Sequence, residues 1–600
     1  MVLSWSSLVV AQTTGARFIT RAGDRLMEGT KEFRFVSFNV PNLHLVEDNL
    51  PFAEENPWRM PDEFEIADTL ETVRQMGGRV ARTYVLSVRR DHEGPEIPRH
   101  VLGPGQFNEE AFRTLDKVLQ LANAKGIRVI VPFVDQWRWW GGIGEYASFR
   151  GKPPEAFWTD PQLIADFKRT IKFLIERRNT YTGVVYRDDP AIFAWETGNE
   201  LANPYSWSRE IAAYIKSLDA NHLVIDGYHA GLHGLPTEPI DDPNIDILTT
   251  HHYPGYQRSW FEAVADARRT IGGRKAYFVG EAGFVPTAEI GRLLDQVIRD
   301  GVSGVLIWSL RFRNRDGGFY WHSEPAGGGL YKAFHWPGSP VGDAYDERGL
   351  LRLMREKAFE IQGTPAPPLE PPAAPRLLPI RSVHAISWRG SVGATHYDVE
   401  RAANPKGPWV IVGSDVDESL APYRPLFADG FAEQGRQYFY RVRAKNAAGV
   451  SADSNLVGPV KVERLALIDQ MCDLSRVFAS GGHLARATGE PRKAKEDLDR
   501  VRGSRDAWMV YRTLHPIRSA RVQVYFEHEV RDFEFLASSD GVTFTKIEAA
   551  RRDYFKGSGD YGYWKPVTYE IENAPRGAYF LKLVFGTDAQ IGRIEIEHQK

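Results

Sequence analysis

The stretch AIFAWETGNEL, residues 191–201, places an apolar run directly before two carboxylates and an amide. An apolar run without alternation is typical of a strand that is buried on both faces of a parallel sheet. Burying an unpaired ionised carboxylate costs several kcal/mol, so Glu196 and Glu200 must either pair with cations or take part in chemistry. The fold built by the rest of the chain decides between these two roles.

Seven further apolar runs resemble this one and are separated by amphipathic segments. One such segment has Leu115, Val118, Leu119 and Ala122 at helical spacing, with Asn108 at its start and Gly126 at its end. Another helix is expected to start at TDP (159–161), where a capping residue precedes proline. Eight strands that alternate with helices favour a closed (β/α)8 TIM barrel over residues 30–362, with an open doubly wound sheet as the alternative. The runs are RFVSFN (34–39), RVARTYVL (79–86), IRVIVPF (127–133), IFAWETGNE (192–200), HLVIDGY (222–228), IDILTTHHY (245–253), KAYFVGEAG (275–283) and GVLIWSL (304–310).

Composition limits the classes of partner. The 600 residues are enough for several domains, and 75 basic against 78 acidic residues give a net charge of −3. This balance offers no electrostatic surface for nucleic acid or anionic membrane, and no apolar run reaches the length of a membrane span. Cys472 is the single cysteine, which excludes an intrachain disulfide framework. The oligomeric state is left open.

Residues 1–29 form an N-terminal segment that begins MVLSWSSLVVAQTTGA. A short apolar stretch followed by a small-residue site near Ala11, with no basic residues before it, is typical of an incomplete secretory signal. The alternative is a frayed or packed terminus. A secreted or extracellular location is therefore the expectation.

The composition changes at residues 363–375, GTPAPPLEPPAAP, where prolines predict an extended linker. Beyond it, residues 376–463 alternate apolar and polar side chains at period two, with Tyr438, Tyr440 and Val442 on one face, and predict a β-sandwich. Residues 464–600 repeat this pattern, with Asp540 and Gly541 at a tight turn, and predict a second β-sandwich.

In a (β/α)8 barrel the carboxyl ends of the strands converge on the face that carries active sites. Glu200 is expected to end the fourth strand and Glu281 the seventh. A pair of carboxylates suits cleavage of glycosidic bonds, with retention of configuration at a separation of about 5 to 5.5 Å and inversion at a wider one. The alternative is a structural network of ion pairs around Arg82.

The passage FWTDPQLIADFKRTIKFLIERRNTYTGVVYRDDPAIFAWETGNE (157–200) closely resembles the endo-β-1,4-mannanases of glycoside hydrolase family 5. With gaps, the resemblance extends from about residue 33 to 362. It implies a retaining TIM-barrel glycosidase with Glu200 as general acid/base and Glu281 as nucleophile, while Glu196 becomes a supporting residue. The resemblance further implies that Arg82 and Tyr253 orient the nucleophile, that Asn199 binds the sugar 2-hydroxyl, that His251 lines the site, and that Trp308 is the floor under the sugar.

Two loops bear on sugar binding. Trp137, Trp139 and Trp140 follow the third strand and predict a sugar-binding wall, with a self-packed loop as the alternative. Residues 311–344 form a glycine-rich and aromatic-rich excursion after the eighth strand, much longer than an ordinary connection. The excursion either lines further sugar subsites of an open cleft or closes one end of it for exo action.

The segment 376–463 resembles a fibronectin type III module through YFYRVRAKNAAG, and 464–600 resembles a discoidin-like sandwich through FEFLASSDGVTFTKI. Discoidin-like modules often bind carbohydrate, which the resemblance implies as a role for the second sandwich. Its loop aromatics either stack on sugars or pack between the sandwich and the barrel; they are Tyr554, Tyr561, Tyr563 and Trp564.

The leading hypothesis is a secreted retaining hydrolase that cleaves β-1,4-mannosidic bonds in mannan-type plant polysaccharides. An exo-acting β-mannosidase or a β-1,4-glucanase with the same residues is the alternative among enzymes. A non-catalytic carbohydrate-binding protein is the alternative from another class. No metal and no cofactor are expected, because the histidines lack ligand spacing with nearby carboxylates.

Overall fold

The computed structural model describes residues 17–46, 58–91, 93–255, 259–326, 329–342, 346–420, 425–553 and 562–600. Eight parallel strands form a closed barrel in which each strand pairs with its neighbour in the chain and the eighth pairs with the first. The TIM-barrel prediction is confirmed, and the open sheet is excluded. The strands are β1 (Phe35–Asn39), β2 (Val80–Arg82), β3 (Arg128–Pro132), β4 (Ile192–Glu196), β5 (Leu223–Ile225), β6 (Ile247–His252), β7 (Ala276–Ala282) and β8 (Gly304–Ile307).

A main helix follows every strand of the barrel except β5. The connection from β5 to β6 holds only a short helix, Ala230–His233, and a 3₁₀ turn, Glu238–Asp241. A second short helix, Ile143–Ser148, lies between β3 and its main helix. The main helices are α1 (Glu63–Gln75), α2 (Glu109–Lys125), α3 (Pro161–Ile175), α4 (Tyr205–Leu218), α5 (Trp260–Ile271), α6 (Thr287–Arg299) and α7 (Glu347–Glu360).

Both ends of α2 and the start of α3 lie where the sequence signals place them. The Asn108 side chain accepts a hydrogen bond from the Glu110 N–H at the start of α2, and Gly126 ends that helix with φ of 69°. Asp160 caps α3 by accepting from the N–H groups of Gln162 and Leu163. Local capping chemistry therefore sets these boundaries.

The barrel interior is closed by an N-terminal sheet of three short strands, Ile19–Ala22, Arg25–Glu28 and Lys31–Glu32. Ile19 and Leu26 from this sheet are buried in one cluster with the barrel residues Phe193 and Phe278. The predicted domain start at residue 30 thus omits strands that pack on the barrel. Residues 1–16, on which the signal prediction rests, lie outside the described residues.

Two all-β regions follow the barrel, as expected for two sandwich domains. In the first, a five-stranded sheet buries Tyr438, Tyr440 and Val442 on one face, which confirms the period-two prediction. Its strands are His396–Ala402, Val410–Val416, Gln437–Asn446, Gly449–Val450 and Val457–Lys461, next to a two-stranded sheet of Arg376–Leu377 and Trp388–Arg389. The resemblance of this region to fibronectin type III remains a prediction.

The second all-β region consists of a seven-stranded and a five-stranded sheet around a separate core. The larger sheet contains Leu465–Asp469, Leu484–Ala487, Arg500–Gly503, Ile517–Phe526, Ala550–Asp553, Lys565–Ile571 and Ala589–His598. The smaller one contains Ala479–Gly481, Trp508–Arg512, Glu534–Ser538, Thr545–Ile547 and Phe580–Val584. We call this region the C-terminal sandwich; its discoidin-like identity remains a prediction.

The first sandwich is joined to the barrel by a buried ionic network. Arg313, from the excursion after β8, donates to Asp68 of α1 at 3.2 Å and to Glu418 of the sandwich at 2.7 Å. All three side chains are buried, so separating the two domains would leave charges unpaired. Among the described residues, no helix combines the length and apolar character that crossing a bilayer requires.

Candidate active site

A cavity of about 520 Å³ opens at the carboxyl ends of the barrel strands. It contains both predicted catalytic carboxylates together with an aromatic lining. The residues that line it are Tyr84, Trp137, Trp139, Asn199, Glu200, Tyr253, Pro254, Glu281, Phe284, Trp308, His322, Glu324 and Ala326. Its size and its mixture of aromatic faces with a few polar groups are typical of a small-molecule site.

Glu200 lies beyond the end of β4 rather than on it. The strand ends at Glu196, and Glu200 follows in the loop with φ of 52°, a left-handed conformation that costs a side-chain-bearing residue stability. Its Oε1 is 2.9 Å from Nδ1 of His251 and 3.1 Å from Nε2 of His229, and its Oε2 accepts from the Trp137 indole at 2.6 Å. The loop therefore turns this carboxylate towards two imidazole nitrogens and one indole N–H.

Glu281 lies on β7, one residue before its end, and is held by two donors. Its Oε1 accepts from Nη1 of Arg82 at 2.7 Å, and its Oε2 accepts from the Tyr253 hydroxyl at 2.6 Å. A carboxylate oxygen of Glu281, one of Glu200 and a ring nitrogen of His251 all lie within 4.8 Å of one another. The fold thus brings the two carboxylates together across one cavity.

Arg82 is fully buried and connects the ends of β4 and β7. It forms a two-pronged ion pair with Glu196, at 2.7 and 3.0 Å, and donates to Glu281 and to the Asn199 amide oxygen. Glu196 therefore pairs with a cation behind the cavity and does not line it. The structural ion-pair network expected as the alternative to a catalytic site is therefore present together with the candidate site. Arg82 belongs to both.

Both the oxygen and the nitrogen of the Asn199 side-chain amide form hydrogen bonds within the protein. Its oxygen accepts from Arg82, while its nitrogen donates to Oδ1 of Asp135 at 3.1 Å. Tyr84 donates to the other oxygen of Asp135 at 2.9 Å. Burial raises the pKa of Asp135 to about 8, although the hydrogen bonds from Asn199 and Tyr84 oppose the shift.

Replacing Asp135 with asparagine is expected to make the protein relatively more stable as the pH rises. Between about pH 4 and 8 the folded protein keeps a proton on Asp135 that the unfolded chain has released, so the free energy of unfolding falls through that window. Asp135→Asn removes this loss. Its melting temperature relative to the unsubstituted protein should therefore be higher at pH 9 than at pH 5.

Asp540→Asn provides the control for this comparison. Backbone N–H groups of Val542 and Thr543 lower the pKa of Asp540 to about 2, so this residue stays ionised in both states above pH 5. Its effect on the melting temperature should not change between pH 5 and pH 9. An Asp135→Asn difference that is equally flat would contradict the assigned protonation.

Glu200, His251 and Glu281 shift one another's pKa values. Burial alone would raise the pKa of Glu200, yet hydrogen bonds from His229 and His251 hold it well below its ordinary value. Burial lowers the pKa of His251, but the charges of Glu281 and Glu200 outweigh it and hold the pKa above its ordinary value. Burial raises the pKa of Glu281 against the opposing charges of His251 and Arg82. The pKa shifts thus favour the ionised form of the expected acid, Glu200, and the protonated form of His251 beside it.

Glu200, His251 and Glu281 are near enough to one another to bind one metal ion. A cation at that position would, however, be repelled by the Arg82 guanidinium, which already donates to Glu281. The donors that converge on both carboxylates are protonated nitrogen and hydroxyl groups. This arrangement fits proton transfer between the three side chains better than it fits a metal centre.

The aromatic lining differs in part from the predicted wall. Trp137 is 47% exposed and Trp139 lines the cavity, but Trp140 is fully buried and packs against Tyr84 and His44. The wall prediction is wrong for Trp140, because its ring fills the core behind the loop. Trp308 lines the cavity as expected and donates its indole N–H to Glu324 at 3.1 Å.

Several residues that line the cavity, among them Phe284, His322 and Glu324, do not follow from the sequence patterns, and neither does His229, which contacts Glu200. His229 follows β5, and its position just after a strand end is a signal that was available. Phe284 and Glu324 come from connecting segments, for which strand periodicity gives no position. The predicted residues Glu200, Glu281, Trp137, Asn199, Tyr253 and Trp308 all line the cavity, whereas Arg82 and His251 support it from behind.

Comparison with known proteins finds a family model that matches within the barrel. A family model described as "GH family 5 beta-mannosidase-like" matches residues 144–277. Mannan endo-1,4-beta-mannosidase 1 of Oryza sativa subsp. japonica is 32% identical over 250 residues, which is 34% of this chain and 56% of that protein. Mannan endo-1,4-beta-mannosidase 7 of Arabidopsis thaliana is 36% identical over 193 residues, 26% of this chain and 43% of that protein.

The chain thus spans about half the length of the curated relatives it matches. Among solved structures, the endo-1,4-beta-mannanase from Rhizomucor miehei aligns with a TM-score of 0.46 and 20% identity, covering 58% of this chain and all of that one. The family model and the sequence relatives agree on one assignment. Over part of its barrel, this chain is similar to the β-mannosidase-like members of glycoside hydrolase family 5.

Proposed function

We propose that the protein is a retaining glycoside hydrolase that cleaves β-1,4-mannosidic bonds in mannan-type polysaccharides. The observation that carries the proposal is the pair of carboxylates, Glu200 and Glu281, with oxygens within 4.8 Å of each other in one cavity. The usual separation in retaining glycosidases is about 5 to 5.5 Å, whereas inverting enzymes need a wider gap for water. The relatives named mannan endo-1,4-beta-mannosidases support the choice of sugar.

In the first step, a carboxylate oxygen of Glu281 attacks the anomeric carbon. The bond from that carbon to the leaving sugar breaks, and the leaving oxygen takes a proton from Glu200. In the second step, water gives a proton to Glu200 while its oxygen attacks the same carbon, and Glu281 is released as a carboxylate. Hydrogen bonds from Arg82 and Tyr253 favour the ionised nucleophile in both steps.

His251 is the source of the acid's proton in this proposal. Its Nδ1 lies 2.9 Å from Glu200 and 3.5 Å from Glu281, and the free protein favours the proton on the imidazole. Transfer from His251 to Glu200 as substrate enters supplies the general acid. The transfer spans one hydrogen bond, which is within the reach that acid–base catalysis requires.

An exo-acting β-mannosidase is the second candidate, and one observation favours it. Glu324 and Ala326, from the excursion after β8, line the cavity beside Trp308. A segment that enters the cavity from a connection limits the length of sugar chain that fits on that side. The alternative β-1,4-glucanase has no comparable support among the contacts.

The experiment that tests the proposal is product analysis of the full chain on mannan, cellulose and manno-oligosaccharides of two to six units. A spread of oligomers from mannan indicates endo cleavage, and release of single mannose units indicates exo cleavage. NMR detection of the β-anomer as the first product would support retention. Failure to cleave any mannan substrate would overturn the proposal, and preference for cellulose would replace it with the glucanase.

A further inference from the structure

The excursion after β8 contributes two paired strands that reach the active site. They are Ser323–Ala326 and Gly329–Lys332, which pair in antiparallel fashion, and we call them the excursion hairpin. On the first strand, Oε1 of Glu324 accepts from the Trp308 indole at 3.1 Å and lies 3.0 Å from Nε2 of His322. The hairpin therefore fixes the edge of the aromatic floor proposed to lie under the sugar.

The second strand of the excursion hairpin reaches the proposed nucleophile through two aromatic rings. Tyr331 lies 6.2 Å from Phe284 between ring centroids. Phe284 is stacked on Tyr253 at 5.1 Å and 25°, and the Tyr253 hydroxyl donates to Glu281. A displacement of the hairpin would thus change the positions of both Trp308 and Tyr253.

The C-terminal sandwich contacts this hairpin directly. Gly562 lies so close to it that a methyl group on its Cα would come within 2.5 Å of Cδ1 of Leu330 and 3.6 Å of Cδ of Pro325. Leu330 is buried, with 8% of its surface exposed. Gly562 of the sandwich therefore lies against the strand whose next residue, Tyr331, contacts Phe284.

Buried polar contacts hold the hairpin to α7 and join the C-terminal sandwich to the part of the excursion that follows the hairpin. Lys332, at the end of the hairpin, pairs with Glu347 of α7 at 2.6 Å. Glu496 of the sandwich accepts from the Ser339 hydroxyl, and Arg492 of the sandwich donates to the Val341 carbonyl at 2.8 Å. All of these side chains are buried. Removing one partner of a buried ionic contact is strongly destabilising, so this interface is not that of a freely tethered module.

We propose that the C-terminal sandwich is a positioning element of the active site, which holds the excursion hairpin so that Glu324 fixes Trp308 and Tyr331 fixes Phe284 against Tyr253. Gly562 and Leu330 are its positioning residues. The proposal rests on the proposed function for its substrate, manno-oligosaccharides. It gives the sandwich a role in catalysis that is independent of any sugar bound by the sandwich itself.

The test is a swap of side-chain size across the contact in the full-length chain. Gly562→Leu inserts a side chain where Leu330 lies and pushes the hairpin away from the sandwich. Displacements of about 1 Å can lower the rate of an enzyme by up to roughly 100-fold. We therefore expect kcat/KM on mannotriose to fall by about 10-fold to 100-fold. The double variant Gly562→Leu, Leu330→Ala restores the space. We expect it to recover kcat/KM to within a few-fold of the unsubstituted protein.

Gly577→Leu is the matched control, because Gly577 has the same φ of 78° as Gly562 but no atom near its Cα substituent position. It carries the backbone strain without the contact, and its kcat/KM should stay unchanged. Amide hydrogen exchange of residues 281–284 and 323–332 provides a readout without substrate. We expect faster exchange in Gly562→Leu, with recovery in the double variant.

Equal kcat/KM for Gly562→Leu and Gly577→Leu would overturn the inference, as would a loss that Leu330→Ala does not relieve. Unchanged exchange of the hairpin in Gly562→Leu would overturn it as well. If the unsubstituted protein cleaves no mannan substrate, the proposed function fails, while the exchange measurements still decide whether the sandwich positions the hairpin and Tyr253. The two failures are therefore distinguishable.

Discussion

Replacing Glu281 with alanine is expected to lower turnover of manno-oligosaccharides by roughly four to six orders of magnitude, the range seen when a covalent nucleophile is removed. The barrel should remain folded, because Arg82 keeps its two-pronged ion pair with Glu196 after the substitution. Steady-state kinetics and circular dichroism measure the two parts of this expectation. Retained activity in a folded variant would show that Glu281 is not the nucleophile.

Glu196→Gln is the matched control, since Glu196 is equally buried and binds the same arginine. It leaves Glu281 in place and should cost far less turnover. Sodium azide adds a stereochemical readout. In Glu281→Ala, azide can enter where the carboxylate was and displace the leaving group directly, so the product should be the α-mannosyl azide.

Replacing Glu200 with alanine is expected to separate substrates by their leaving group. Mannan needs a proton on its departing oxygen, and general acid catalysis contributes about 100-fold to 10,000-fold, so cleavage of mannan should fall by that factor. A dinitrophenyl β-mannoside needs little protonation and should keep its rate of glycosylation. Burst-phase kinetics measures that step. Equal losses on both substrates would remove Glu200 from the role of acid.

Azide also tests Glu200 in a way that distinguishes it from Glu281. In Glu200→Ala the glycosyl-enzyme still forms on Glu281, and azide then attacks from the opposite face, so the product should be the β-mannosyl azide. Glu200→Gln keeps the shape of the side chain beside Trp137 and His251. The same leaving-group dependence in that variant would show that the lost proton, and not a rearranged loop, causes the effect.

Much of the fold was encoded in short segments of sequence. The eight strands were found because each is an apolar run buried on both faces, and α2 and α3 were delimited because Asn108, Gly126 and Asp160 act within one turn of the helix ends. The closed barrel follows from eight such units in order. Glu281 and Tyr253 could be placed at the cavity because they lie at or directly after the ends of β7 and β6, which converge there.

Other features of the site depend on groups that are distant in the chain. The sequence contained Asp135 but not its pKa, which burial raises against the hydrogen bonds from Asn199 and Tyr84. It contained Glu200 but not the left-handed turn that points it at His229. The sequence contained Trp140 but did not show that packing buries its ring. Each of these properties is a sum over neighbours that local periodicity does not specify.

By itself, the sequence determined the barrel, the two all-β regions and the pair of carboxylates, because strand patterns, caps and prolines act over a few residues. Only the tertiary structure decided that Glu324 contacts Trp308 and that Gly562 lies against Leu330, more than two hundred positions away. Desolvation and close packing depend on which surfaces meet in three dimensions, and that information is spread over the whole chain.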